Sequence, residues 1–303
     1  MLKFPRPRLF CLSFRHSFQS HSFRTFRTLF LLLLLAAGLF LPFGPAARSA
    51  PGLPLPILMY HNVSEKAEMA GKYCVTTTQL AADLDYLQKN GYHTVTMAQV
   101  IAYVQEGAPL PERPVLLTFD DSYESVAVLA GPLLEERGMT AVIGVIGAYA
   151  DEFTQTEDHH LDYSHLSWAA LAALAQGETF ELQNHSYFRH HIGQGQRGVL
   201  RRPGEDAAAY RTDLTADLMA LQKKLWELTG DCPTTFIYPF GAFSEETEAL
   251  LTELGFAASL SCTETVSRLA PGTDCLRRLG RFNRSGLEDS AVFMARVFGS
   301  QPV

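Results

Sequence analysis

Residues 114–121 read PVLLTFDD, an apolar run of strand length that ends in two adjacent carboxylates. A run this short and this continuously apolar fits a strand buried on both faces, the habit of parallel sheets. Asp120 and Asp121 then stand where that strand leaves the core. Two like charges at such a place repel each other. Three arrangements offset the repulsion: a bound metal ion, a shared proton, or solvent exposure in a turn.

Similar runs recur on both sides. Candidate strands are LPILMY (55–60), HTVT (93–96), TAVIGVI (140–146), FELQ (180–183), TTFIY (234–238) and FAASL (256–260), with a weaker one near 276–282. Helical stretches lie between them at 78–90, 97–106, 123–138, 167–177, within 206–229, 244–255 and 287–298. Several carry start and stop signals, such as Thr78 or Ser244 in front and Gly138, Gly177 or Gly255 behind. This alternation predicts an α/β fold with a parallel sheet inside and helices outside. About seven βα units suit a barrel better than an open sheet, and functional residues should then follow the C-terminal ends of the strands.

The first fifty residues differ from the rest. They hold no Asp or Glu but seven basic side chains, and the apolar stretch LFLLLLLAAGLFLPF (29–43) is followed by GPAARSAPG. That is the layout of a secretory signal peptide. The apolar stretch is short for a membrane span, which takes roughly 20 residues, yet the long basic leader keeps an uncleaved membrane tether open. The expectation is an exported protein, secreted or anchored on the outer face of the cytoplasmic membrane. Residues 1–50 would be the leader and 51–303 a single domain.

Setting the leader's seven basic residues aside leaves 18 of the 25 Lys and Arg against all 32 Asp and Glu, a net charge of −14. So acidic a body lacks the basic footprint of a nucleic-acid binder and suits a neutral or cationic substrate. Outside the leader stand Cys74, Cys232, Cys262 and Cys275; they permit disulfides, their spacing selects no pairing, and no CxxC pair suggests a thiolate metal site.

Polar and turn-forming residues fall at strand ends. His61 follows LPILMY, Asp120 and Asp121 follow PVLLTF, Asn184 and His185 follow FELQ, and Pro239, Phe240 and Gly241 follow TTFIY. Four segments far apart in sequence thus deliver such residues to one rim. In NHSYFRHH (184–191), His190 and His191 lie five and six residues after His185, spacings that do not share a helix face, so convergence would have to come from a loop. One carboxylate with two imidazoles makes a three-ligand set with room for water, as in catalytic zinc sites. Water bound there becomes acidic enough to act near neutral pH, and the second carboxylate is free to serve as base.

Together these residues resemble the polysaccharide deacetylase family, the NodB-like carbohydrate esterases. TFDD (118–121) is similar to the family's first motif, NHSYFRH (184–190) to its second, and YPFG (238–241) to its third, usually Arg-x-Pro-Tyr-Gly. HLSWAALAAL (165–174) resembles the segment leading into the second motif, and ILMYHNV (57–63) also matches. The spacing of five between the histidines is similar to the branch with poly-N-acetylglucosamine deacetylases. The resemblance covers roughly residues 55–285. It implies a distorted (β/α) barrel, with a divalent metal, usually zinc, held by Asp121, His185 and His190. It also implies Asp120 as general base, the Phe240 N–H as oxyanion donor, and a substrate groove lined by the loop of Tyr238 and Pro239. The substrate would be an acetylated glycan, deacetylated by hydrolysis.

Two departures stand out. Ile237 occupies the place of the third motif's Arg, which braces the catalytic Asp; Arg281 or Arg284, in LGRFNRSG, are the candidates to replace it. No His follows His191, whereas many family members use a late His as general acid. His61 reads either as a contact to substrate or the metal's water, or as a structural hydrogen bond. Trp168 reads as a sugar-stacking surface or as packing between helix and barrel, and Arg281 is counted among the substrate contacts. His159, His160 and His165 read as a surface loop, and 192–210 as an insertion beside the metal loop. An O-acetyl esterase and a catalytically silent glycan-binding protein are the rival functions.

Overall fold

A computed structural model of the chain describes residues 52–156 and 158–299; the leader, with its expected signal or anchor, lies outside them. Among the described residues no helix is long and apolar enough to cross a membrane. Eight strands form one sheet: β1 (Ile57–Tyr60), β2 (His93–Thr94), β3 (Pro114–Phe119), β4 (Ala141–Val145), β5 (Phe180–Asn184), β6 (Thr235–Ile237), β7 (Ala258–Leu260) and β8 (Phe282–Asn283). Seven follow one another in the order β7-β6-β5-β4-β3-β1-β8, and β2 lies beside the start of β3. Every pairing among them is parallel.

The curve closes at its ends. Leu279 bridges Leu260, and the Ser261 N–H donates to the Leu279 carbonyl at 2.9 Å. On the other side β8 pairs with Leu58 and Met59. The weak strand expected near 276–282 therefore joins the two edges, giving the distorted barrel of about seven parallel strands.

Side-chain alternation along the strands sorts residues between the inside and the outside. Ile57, Leu116, Val142, Ile237, Ala258 and Leu260 belong to one apolar cluster, completed by Val95, Met97, Val100 and Val104. Leu58, Tyr60, Leu117, Phe119, Ile143 and Leu182 pack instead with the outer helices. Counting on by two from Ile57 reaches His61, from Leu116 reaches Asp120, and from Glu181 reaches His185. The strand period alone thus aims three polar side chains at the inside of one rim.

The helices are α1 (Thr77–Lys89), α2 (Met97–Glu106), α3 (Gly131–Glu136), α4 (Gly147–Thr156), α5 (Trp168–Leu174), α6 (Ala207–Thr229), α7 (Glu245–Glu253) and α8 (Ser290–Phe298). Capping boxes start two of them: Thr76 with Gln79 before α1, and Thr96 with Gln99 before α2. Ser244 caps α7 as expected. The single helix expected over 123–138 is broken: Val126–Ala130 is a π turn, with the Gly131 N–H reaching back five residues to the Val126 carbonyl. Pro132 follows at once, and its missing N–H and its ring forbid an ordinary α turn there. Helix α4 was not anticipated. Within the insertion, Ile192–Gly193 pairs antiparallel with Gln196–Arg197 about a two-residue turn at Gln194 and Gly195, both at positive φ.

Candidate active site

Asp120 and Asp121 separate as the chain leaves β3. Asp120 stays on the inner face; its N–H donates to the Tyr60 carbonyl at 2.9 Å, which locks the rim ends of β1 and β3 together. Asp121 takes φ of 70° and Ser122 of 52°, left-handed values that swing the second carboxylate sideways. His165, bridged to this loop through Tyr123, places Nδ1 2.7 Å from the Asp121 carbonyl oxygen and holds the turn from outside. Of the expected surface histidines, His165 thus supports the site. His159 instead pairs with Glu124, and His160 stacks on Tyr163.

The carboxylate of Asp121 meets two imidazoles. Its Oδ1 lies 3.5 Å from His185 Nε2 and 3.2 Å from His190 Nε2. One donor atom from each of the three residues falls within 4.8 Å of the others. His185 Nδ1 donates to the Ile237 carbonyl at 2.7 Å, so in the neutral ring Nε2 carries the lone pair that faces Asp121. Asp121 Oδ1 is buried and meets no donor in hydrogen-bond geometry. A buried carboxylate oxygen left unmatched between two imidazole nitrogens suits a cation. An Asp/His/His donor set is the nitrogen and oxygen mixture that zinc accepts, with a position left open.

The electrostatics treat the two imidazoles differently: burial lowers His185, but Asp121 and Asp120 outweigh it and raise its pKa. Burial pushes the His190 imidazole down to about 4, with neighbouring His185 adding to the effect, so it is neutral at neutral pH. Burial raises the Asp121 carboxyl, but the surrounding imidazoles outweigh that and hold it far below the usual carboxylate range. Burial likewise raises Asp120, and Arg281 leads the charges that bring it below its ordinary value.

Arg281 settles the question raised at Ile237. It is wholly buried and donates from Nη1 to Asp120 Oδ1 at 2.7 Å, from Nη1 to Thr118 Oγ1 at 3.2 Å, and from Nε to the Ser261 carbonyl at 2.9 Å. It therefore braces Asp120 from the last strand rather than meeting substrate, which corrects its expected place. Arg284, the other candidate, pairs with Asp83 at 2.6 Å under the opposite side of β1. Ile237 gives the site its carbonyl instead of a side chain.

Other expected residues are placed differently. Tyr238 is fully buried and donates to Glu248 Oε1 at 2.9 Å on the outer side of β6, away from the Asp/His/His cluster. Trp168 is half-buried at the start of α5 and donates from Nε1 to Asp151 at 2.8 Å, which fits packing rather than sugar stacking. Pro239 is buried in the turn that carries Phe240. Phe240 has φ of 58° and sets its ring 4.5 Å from that of His190. Gly241 makes this turn fit: at φ of 63° a Cβ would stand 2.6 Å from the Cys262 Cβ.

His61 follows Tyr60, whose partner is Phe119, so it stands level with Asp120 across the β1–β3 pair. Its Nδ1 is buried with no hydrogen-bond partner, and its ring rests on Tyr73 at 4.7 Å. Burial lowers its pKa, against the pull of Asp120 and Asp121. A structural hydrogen bond through Nδ1 is therefore not what this residue supplies.

Sequence reasoning passed over two carboxylates. Asp217 on α6 accepts the Tyr187 N–H at 2.9 Å and the Phe188 N–H at 2.7 Å, and Asp151 on α4 accepts the Tyr187 hydroxyl at 2.6 Å. The signal for Asp217 was its place among Leu214, Leu218 and Leu221 on the buried face of a helix, where an acidic residue needs a partner.

Comparison with known proteins places this geometry. The family model described as polysaccharide deacetylase matches residues 107–259, half of the chain. A poly-beta-1,6-N-acetyl-D-glucosamine N-deacetylase of Escherichia coli O157:H7 is 28% identical over 217 residues, 66% of this chain and 32% of that protein. The chain thus spans about a third of that relative's length. Among solved structures, IcaB from Ammonifex degensii superposes with a TM-score of 0.65 at 25% identity, over 81% of this chain and 99% of that one. A de-N-acetylase from Aggregatibacter actinomycetemcomitans gives a TM-score of 0.67 at 19% identity, over 78% and 96%, a likeness of fold.

Proposed function

As the chain belongs to the polysaccharide deacetylase family, we propose that it removes N-acetyl groups from a glycan of the poly-β-1,6-N-acetyl-D-glucosamine class. Asp121, His185 and His190 would hold a divalent cation, zinc by the character of the donor set. A cation there supplies Lewis acidity and makes water a nucleophile near neutral pH. Read with the basic and apolar leader of residues 1–50, the reaction takes place outside the cytoplasmic membrane.

The observation that carries this reading is Asp120: a buried carboxylate, kept ionised by a buried arginine, beside a three-ligand cluster it does not itself join. Arg281 engages Oδ1, which leaves Oδ2 to accept a proton from water. A carboxylate held only to share charge with a cation would need no such brace. Asp120, once it has taken the proton from water, can pass it to the departing amine, since no histidine follows His191 to serve as a separate acid. The Phe240 N–H, fixed by its left-handed turn against His190, is aimed at the oxygen where charge develops. The product carries a new ammonium at each site of hydrolysis, which a body with net charge −14 tolerates.

The test is acetate release from β-1,6-linked N-acetylglucosamine oligomers by the purified protein, with zinc and with chelator, beside Asp120→Asn. Zinc-dependent release that falls by about 10²–10⁴ in the variant is the expected result. Release that persists in Asp120→Asn at the wild-type rate would remove Asp120 as base. Release from O-acetylated oligomers alone would reassign the bond cleaved.

A further inference from the structure

The two histidines of the metal cluster are carried by residues 185–190, a loop that is neither helix nor strand and that contains Tyr187. Every polar group of Tyr187 is engaged. Its N–H donates to Asp217 at 2.9 Å, its carbonyl accepts the Ala148 N–H at 3.0 Å, and its hydroxyl donates to Asp151 Oδ2 at 2.6 Å. Its ring lies flat on Gly147, where any Cβ would fall 2.6 Å from two ring carbons. The Gly147 N–H also reaches the Ser186 carbonyl at 3.2 Å. Asp151 then passes the link outward: its other oxygen, Oδ1, accepts the Trp168 indole N–H at 2.8 Å. The Trp168 N–H is in turn held by Thr154 Oγ1 at 2.9 Å.

Such a peg is needed because the loop is not self-supporting. Ser186, between His185 and Tyr187, sits at φ of 75°, a conformation that costs a serine about 1–2 kcal/mol. The barrel fixes His185 through β5 and the Ile237 carbonyl, whereas His190 lies outside any strand, just ahead of the His191 carbonyl that accepts the Gly198 N–H at 3.1 Å. Its position depends on how the chain runs through Tyr187.

We propose that Tyr187, Asp151 and Trp168 form a positioning chain that sets the place of His190, so that Asp151 governs metal affinity and coordination geometry without touching the metal site. Trp168 thereby acts at its distant end, as a hydrogen-bond donor rather than a sugar-stacking surface. The inference rests on the reading of Asp121, His185 and His190 as a metal site.

The experiment uses the full protein, stripped and reloaded with zinc or cobalt(II). Zinc affinity is measured by competition with a chromophoric chelator, and coordination geometry from the visible absorption of the cobalt(II) form. The variants are Tyr187→Phe, which keeps the ring on Gly147 and the backbone bonds and removes only the hydroxyl, Asp151→Asn, and Trp168→Phe. Asp289→Ala, which removes the N-cap of α8 far from this loop, is the stability control. Tyr187→Phe and Asp151→Asn are expected to weaken zinc binding about tenfold to a hundredfold and to alter the cobalt(II) spectrum. Trp168→Phe should move in the same direction by less, and Asp289→Ala should lower thermal stability with the spectrum unchanged. Wild-type affinity and spectrum in both Tyr187→Phe and Asp151→Asn would overturn the positioning chain while leaving the metal site intact. A wild-type protein that bound neither metal would instead overturn the functional reading on which the inference rests.

Discussion

Asp120 and Arg281 are within 3% of complete burial at their side chains, and their charges meet at 2.7 Å. Replacing Arg281 by Met removes the cation and keeps roughly the length. The carboxylate then remains buried without its partner, which costs about 3–5 kcal/mol. For a domain of this size about 1 kcal/mol moves the melting temperature by roughly 2–4 °C, so the variant should melt about 6–20 °C below wild type. Adding Asp120→Asn removes the stranded charge, and the double variant should regain about 2 kcal/mol or more over the sum of the single losses. Chelated protein keeps the metal out of the comparison, and urea unfolding of all four species closes the cycle. The pH dependence carries its own sign. Asp120 is held below its unfolded value, near 3.9, so its pairing stabilises the wild type above that pH and is lost as pH falls through the folded value. In Arg281→Met the largest opposing charge is gone, so burial raises the carboxyl against His185 and His61 alone, and its penalty is largest at neutral pH and relieved by acid. The gap between the two proteins should therefore narrow as pH falls and close only below the folded wild-type value of Asp120. Additive losses to within about 0.5 kcal/mol, together with a gap that does not narrow in acid, would refute the brace.

Gly241→Ala drives a Cβ to 2.6 Å from Cys262 in a left-handed turn, and should cost about 1–3 kcal/mol while lowering kcat more than it raises KM, because Phe240 is moved. Unchanged kinetics would separate the turn from the reaction. Chelation should lower the melting temperature of the wild type, and zinc at about a hundred times its dissociation constant should restore close to 2.7 kcal/mol. His190→Ala should show neither effect, and a metal-linked shift that survives in it would exclude His190 as a ligand.

Much of this architecture was legible because burial on both faces leaves continuous apolar runs, and PVLLTF, TAVIGVI and TTFIY each became a strand of the ring. The inward-facing part of the site was legible for a related reason: a strand of fixed period must aim the residue after its end, and His61, Asp120 and His185 are such residues. The same period was under-used at Tyr238. Ile237 points inward, so Tyr238 had to point out, toward Glu248. Arg281 was narrowed to two candidates but not chosen, because its partner lies 161 residues away and their meeting depends on how the ring closes. Asp151 and Asp217 look like ordinary acidic residues of helices until the loop that they hold is in place. The break at Val126–Ala130 was marked by Pro132, a signal that the periodic reading of 123–138 overrode.

Ring closure by the last strand has a bearing on the order in which the molecule comes into being. As the chain leaves the ribosome, β1 and β3 can pair early, with Asp120 at their rim, but the cation that neutralises it is made 161 residues later. Until the segment through Arg281 docks between β1 and β7, the nascent barrel has an open seam and an unmatched interior charge. Completion of the fold and neutralisation of Asp120 are thus a single late event. A chain cut short before that segment would lose both the strand that closes the seam and the charge that steadies Asp120.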